Sequence, residues 1–151
     1  MVGSAAQERV DRVHHALAQL PAVDCPVTNR FTPGLYSREI FMPAGTGIVS
    51  RVHKTEHQFV VLTGRARVWT EDGGIVELSA GQVGITKPGT RRVLFILEDC
   101  RWITFHPTTT TDVAALQDEL TWTPDVSYLE ANGALSEEGG EILKQLQELQ
   151  S

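Results

Sequence analysis

Only two of the 151 residues are cysteine, Cys25 and Cys100. They lie far apart with no Cys-x-x-Cys spacing, so neither a disulfide scaffold nor a cysteine-based zinc site is expected. Both read as free thiols of a reducing compartment. No apolar run approaches the roughly 20 residues that span a bilayer. Basic residues are the minority, 13 against 19 acidic, for a net charge of -6. That balance argues against nucleic acid or an anionic membrane as partner. The stretch MVGSAAQERVDR lacks the apolar core of a secretion signal, so a cytoplasmic location is expected. Gly-x-Ser-x-Gly, the phosphate-binding loop, Gly-x-Gly-x-x-Gly and His-Glu-x-x-His are all missing, and with them the common signatures of hydrolases, nucleotide-binding enzymes and metalloproteases.

What the sequence does contain is ordinary globular texture, with 41% hydrophobic and 21% charged residues. A chain of this length buries about two thirds of its unfolded surface, so it needs no disulfide or structural metal to fold. The pattern divides it into an N-terminal helical arm over 1–25, a β-rich body over 26–107 and a C-terminal helical extension over 108–151. In the arm, Ser4 and Gln7 fit a capping box, and Val10, Val13, Leu17 and Leu20 recur at helical spacing before Pro21. His14 and His15 are neighbours on that helix, point in different directions and read as surface residues.

The body alternates short β-rich runs with Gly, Pro and Asp turns. Eight strands are predicted, over 35–42, 46–53, 57–63, 65–70, 75–78, 83–86, 92–97 and 102–106. Asp72-Gly73 supplies a hairpin signal. With no helix between them, these strands make an antiparallel sandwich or barrel, and a parallel α/β sheet is excluded. Beyond Pro107, Asp112 is a plausible helix cap before Val113, Leu116 and Leu120. Ile142, Leu146 and Leu149 share a stripe that suits packing on the barrel or on a neighbouring subunit.

Three clusters in the body carry the chemistry. Gly45 is followed by five residues, then Arg51-Val52-His53, then His57 and Gly64; Gly81 leads through five residues to Lys87-Pro88-Gly89 and on to Arg92; Trp102 to His106 closes the region. Over residues 34 to 106 this spacing resembles the two motifs of the cupin superfamily. The wording of the stretches HKTEH, KPGTRRV and WITFHPT resembles, more narrowly, small cupin-like proteins of unknown function encoded in bacteriophage genomes. The resemblance implies an all-β, cupin-type antiparallel β-barrel (jelly roll) with short N- and C-terminal helices. It also implies a His-His-Glu-His metal set, from which this sequence departs. His53 keeps the second position, His57 stands at the Glu position, and Arg51 and Arg92 occupy the first and fourth. Ile96 replaces the motif's Asn.

Strand alternation turns Arg51 and His53 the same way, and gives His57, Phe59 and Val61 one face and Arg92, Leu94 and Ile96 another. Polar groups at a rim over aliphatic ones describe a small ligand cavity. His53 and His57 are good ligands for zinc, nickel, iron or copper, whereas the guanidinium of arginine cannot ligate. His106 is a third candidate, although Ile103 and Phe105 are the natural core residues of its strand and would turn it outward. Glu56 is a further candidate that a turn would leave in solvent. One divalent transition metal and no metal at all, with the histidines as hydrogen-bonded barrel residues, stand as equal alternatives. Arg51 and Arg92 with the two histidines suit a small anionic ligand; the alternative is that they pair with Glu39 or Glu56 and merely tie strands together. Arg65, Arg67, Arg91 and Arg101 read as a solvated face.

The function expected on this basis is binding of a metal ion or small anionic ligand in the barrel. A metal-dependent dioxygenase or isomerase acting on a small acidic substrate is a second reading. A non-catalytic oligomeric structural or accessory protein, phage-encoded by the narrower resemblance, is a third. Amphipathic helices at both ends and exposed edge strands predict a homo-oligomer, dimer or trimer.

Overall fold

The computed structural model describes Val13 and residues 23–70 and 74–122. Among these residues nine strands and one helix follow in order: β1 Val27–Thr32, β2 Leu35–Met42, β3 Gly47–Val49, β4 Val52–His53, β5 His57–Thr70, β6 Ile75–Ser79, β7 Val83–Thr86, β8 Arg92–Pro107, α1 Val113–Leu120 and β9 Thr121–Trp122. Every strand pairing is antiparallel.

Two strands organise the rest. β5 and β8 are long, pair with each other along their length, and shift register between Val61 and Ala66. The first half of β5 pairs with β7 and with the second half of β8, which in turn pairs with β2 and, through it, β1. The second half of β5 pairs with β6 and with the first half of β8, which pairs with β3. The bend therefore folds one sheet into two layers, β1-β2-β8-β5-β7 and β3-β8-β5-β6. Met42, Phe59, Val61, Val68, Leu94, Ile96 and Trp102 pack as a buried core. The sheet does not close: among the described residues no ladder joins β1 or β7 to β3 or β6. The antiparallel all-β reading holds, in the form of an open jelly roll.

The bend corrects two expected turns. Gly64 and Glu98-Asp99 each read as ends of strands, yet both lie inside continuous ones. Gly64 has φ +83°, and a Cβ there would stand 2.2 Å from the Asp99 carbonyl oxygen. Glycine is what lets the backbones of β5 and β8 approach where both bend. The expected 46–53 strand is split into β3 and β4, and β1 and β9 were not expected.

Of the expected N-terminal helix only Val13 is among the described residues; it is helical and buried against Val93 and Phe95. Those two side chains lie on the face of β8 opposite Leu94 and Ile96, so Val13 packs on the outer side of that layer. The expected cap holds at α1, where the Asp112 carboxylate accepts from the Ala114 amide at 3.0 Å. The predicted stripe over 142–149 lies outside the described residues. No helix among the described residues is long and apolar enough to cross a membrane.

Candidate functional site

Alternation along the strands builds a ladder of inward side chains. Tyr36 faces His106 across the β2–β8 pair, with Arg38 opposite Thr104, Ile40 opposite Trp102 and Met42 opposite Cys100. On β5, His57, Phe59 and Val61 descend beside them. Imidazoles thus lie at one end and apolar groups at the other. The far wall comes from Ile48 and Val49 on β3, Arg51 in the link to β4, His53 on β4, and Arg92 and Leu94 on β8. Together they line a cavity of about 330 Å³.

Helix α1 lies across the imidazole end. Leu116 and Leu120 are buried with Tyr36, and Val113 and Gln117 also line the cavity. The helix is tied to the strand that carries His53: Thr121 and Trp122 pair with His53 and Val52. The Lys54 amide donates to the Leu120 carbonyl at 2.7 Å, and its ammonium donates to the Asp118 carbonyl at 2.5 Å.

His53, His57 and His106 converge. One nitrogen from each lies within 4.8 Å of the others, and the ring centroids are 4.3, 4.6 and 5.8 Å apart. This corrects the expectation that Ile103 and Phe105 would turn His106 outward. On β8 it is Trp102, Thr104 and His106 that face the cavity, and His106 is only 2% exposed. The second half of β8 has its facing fixed by its register with β2, which apolar content alone does not report.

Each ring commits one nitrogen to the protein. His57 Nδ1 donates to the Thr55 carbonyl at 3.3 Å, and His53 donates to the Arg51 backbone. His106 Nε2 pairs with the Thr104 hydroxyl at 2.9 Å, leaving its Nδ1 buried with no partner. Burial, followed by the nearby histidines and arginines, pushes His53 down to about 4 and His106 to about 3. Burial also lowers His57. All three rings are neutral at pH 7, the form that carries a free lone pair for a metal.

The cavity is otherwise cationic. Arg38, Arg51 and Arg92 line it, and among the described residues no Asp or Glu does. Arg92 sits 5.1 Å over the Phe59 ring, and its buried Nε has no hydrogen-bond partner. Burial lowers the pKa of both Arg38 and Arg92. The expected alternative, pairing of Arg51 or Arg92 with Glu39 or Glu56, is not what the structure holds. Glu39 faces out of the cavity and binds Arg30 at 3.1 Å and Arg101 at 2.6 Å. Glu56 is exposed and lies on a separate shallow groove with Leu35 and Ile85. Arg65 and Arg67 pair with Glu77 on the outer face, as a solvated face requires. Arg91 does not belong with them, being 2% exposed.

Arg51, His53, His57 and Arg92, expected together from sequence, do line one cavity, and His106 joins them. Arg38 and Tyr36 were missed. Their signal was legible in the alternation Tyr36-x-Arg38-x-Ile40-x-Met42, an inward stripe interrupted by one cation.

No protein-family model and no curated protein matches this sequence. Solved structures do match. The DMSP lyase DddQ from Ruegeria pomeroyi superposes with a TM-score of 0.53 at 15% identity, over 63% of this chain and 54% of that one. EutQ from Salmonella typhimurium gives 0.50 at 13% identity, over 58% and 72%. An RmlC-like cupin family protein with a double-stranded β-helix fold, from Methanocaldococcus jannaschii, gives 0.48 at 11% identity, over 59% and 84%. The fold is like those of these proteins, the last of which is described as a cupin. At these identities the likeness concerns the fold alone, and this chain spans about half the length of the lyase. The narrower resemblance to phage-encoded proteins finds no support in these matches. Within the cupin frame the residues at the motif positions are those of this chain: two arginines, two histidines, and a third histidine contributed by the last strand of the body.

Proposed function

We propose that this cupin binds one divalent transition metal through His53, His57 and His106, in a cavity that also accepts a small anionic ligand. The observation that carries the reading is the convergence of three neutral imidazoles, each with one nitrogen engaged by the protein. A ligating histidine ordinarily anchors its second nitrogen on a carbonyl or other acceptor, which fixes the ring's direction. The unpartnered buried Nδ1 of His106 fits the same account, because a buried polar atom without a partner costs about 1–3 kcal/mol that a bound ion would offset. Three imidazoles suit zinc, nickel, copper or iron and leave a coordination position open. A metal there supplies Lewis acidity toward whatever occupies that position. The arginines supply the complementary half: they attract and orient an anion and cannot ligate the metal themselves.

The test is metal analysis of tag-free protein after incubation with zinc, nickel, cobalt or iron(II) and desalting. About one equivalent of metal is expected, falling at least tenfold in His106→Ala and in His57→Ala. Metal content near zero for every ion in the folded wild type would overturn the proposal.

A further inference from the structure

We infer that the anion this cavity takes is a small organic monocarboxylate with an apolar body, its carboxylate held by Arg38, Arg51 and Arg92 and its body lying against Ile40, Met42, Leu94 and Trp102. The inference rests on the ligand half of the reading above and not on the metal.

Two observations set the charge. The described lining contains three guanidinium groups and no carboxylate, and the one nearby acid on β2, Glu39, is committed to Arg30 and Arg101 on the other face. Arg92 has a buried Nε without a partner. Guanidinium is planar and matches a carboxylate edge with paired donors.

The ladder sets the shape. Arg38 lies one step below the imidazoles, opposite Thr104, and the next steps down are Ile40 with Trp102 and then Met42 with Cys100. Leu94 and Ile48 face them from the other layer. A ligand that reaches past the arginines meets hydrocarbon, so a second charge at its far end would be stranded. This disfavours dicarboxylates and sugar phosphates, and it rewards a short alkyl or aryl group. Size follows from volume. With about 30 Å³ per water in the liquid, a cavity of about 330 Å³ has room for roughly ten non-hydrogen atoms, the range of butyrate to octanoate.

The experiment uses the full chain in two forms, stripped with chelator and loaded with zinc, titrated with acetate, butyrate, hexanoate, hexanol, hexylamine, succinate and inorganic phosphate. Hexanoate is expected to bind at least tenfold more tightly than acetate, hexanol, hexylamine, succinate or phosphate. Arg38→Gln should weaken hexanoate at least tenfold, as should Arg92→Gln. In each variant, unliganded melting within a few degrees of wild type shows that the fold is kept. Phosphate or succinate outcompeting hexanoate, hexanol matching it, or no binding of any probe to either form would each overturn the inference. Zinc uptake without hexanoate binding defeats this inference and leaves the metal reading standing. Hexanoate binding to protein that takes up no metal does the reverse.

Discussion

The close approach of β5 and β8 at Gly64 gives the sharpest stability prediction. Gly64 sits inside β5 at φ +83°, and a Cβ there would lie 2.2 Å from the Asp99 oxygen and 2.8 Å from Cys100 Cα, both backbone atoms. Gly64→Ala therefore carries two costs. Left-handed backbone costs a non-glycine residue about 1–2 kcal/mol. Relieving the contact means moving β8 away by about 1 Å beside the buried Cys100, an overpacking that costs about 1–3 kcal/mol. The sum is about 2–5 kcal/mol, a large fraction of the roughly 5–15 kcal/mol that stabilises a domain. At roughly 4 °C per kcal/mol for a body of this size, the melting temperature should fall by about 8–20 °C. Gly34 is the control. Its φ is +76°, and a Cβ there meets nothing within 4 Å. Gly34→Ala should lose only the backbone share of about 1–2 kcal/mol. Urea unfolding of wild type and both variants measures the difference. If the two variants lose the same stability within about 0.5 kcal/mol, the close approach of β5 and β8 at the bend is refuted.

Two further outcomes follow from burial and from titration. Ile96 is fully buried in the main core, so Ile96→Ala should cost about 2–5 kcal/mol in urea unfolding, whereas Ile85→Ala, at a residue 57% exposed, should stay within about 0.5 kcal/mol of wild type. Metal-stripped protein should lose stability as pH falls. His53 and His106 are held at about 4 and about 3 in the fold against 6.5 for a free side chain, so between those values the unfolded chain binds more protons than the native one. Stability is then fully present above pH 6.5 and drains away toward pH 4, at no more than about 2.7 kcal/mol per pH unit for two protons. Urea midpoints between pH 5 and 7 measure it. A flat profile there, or one unchanged in His106→Gln, would contradict the buried neutral triad.

Much of the fold was legible because period-two alternation and glycine placement are local. Leu35 to Met42 and Val83 to Thr86 have the bounds expected of them, and Asp112 caps α1. What was not legible is what long-range pairing decides. Gly64 and Glu98-Asp99 look like turns because glycine and paired acids usually end strands, yet here they let two strands bend together. The site divides along the same line. The resemblance to the cupin motifs grouped Arg51, His53, His57 and Arg92. The inward face of His106 depends on its register opposite Tyr36, and the role of Arg38 depends on the neighbouring strands that wall its cavity. Neither fact is written within a window of ten residues.

Because β8 crosses both layers, a single run of even-numbered positions supplies Arg92 and Leu94 to one wall and Trp102, Thr104 and His106 to the other. Around Glu98-Asp99 the register with β5 shifts and Glu98 itself is exposed, yet the even-numbered phase resumes at Cys100. Changing the chemistry of those two exposed residues leaves the phase intact, whereas inserting or deleting one residue there would reverse every facing downstream. Ile103 and Phe105 would then turn into the cavity and His106 out of it. A dipeptide that looks like a dispensable surface turn thus acts as the frame-keeper of the binding centre, open to substitution but closed to any change in length.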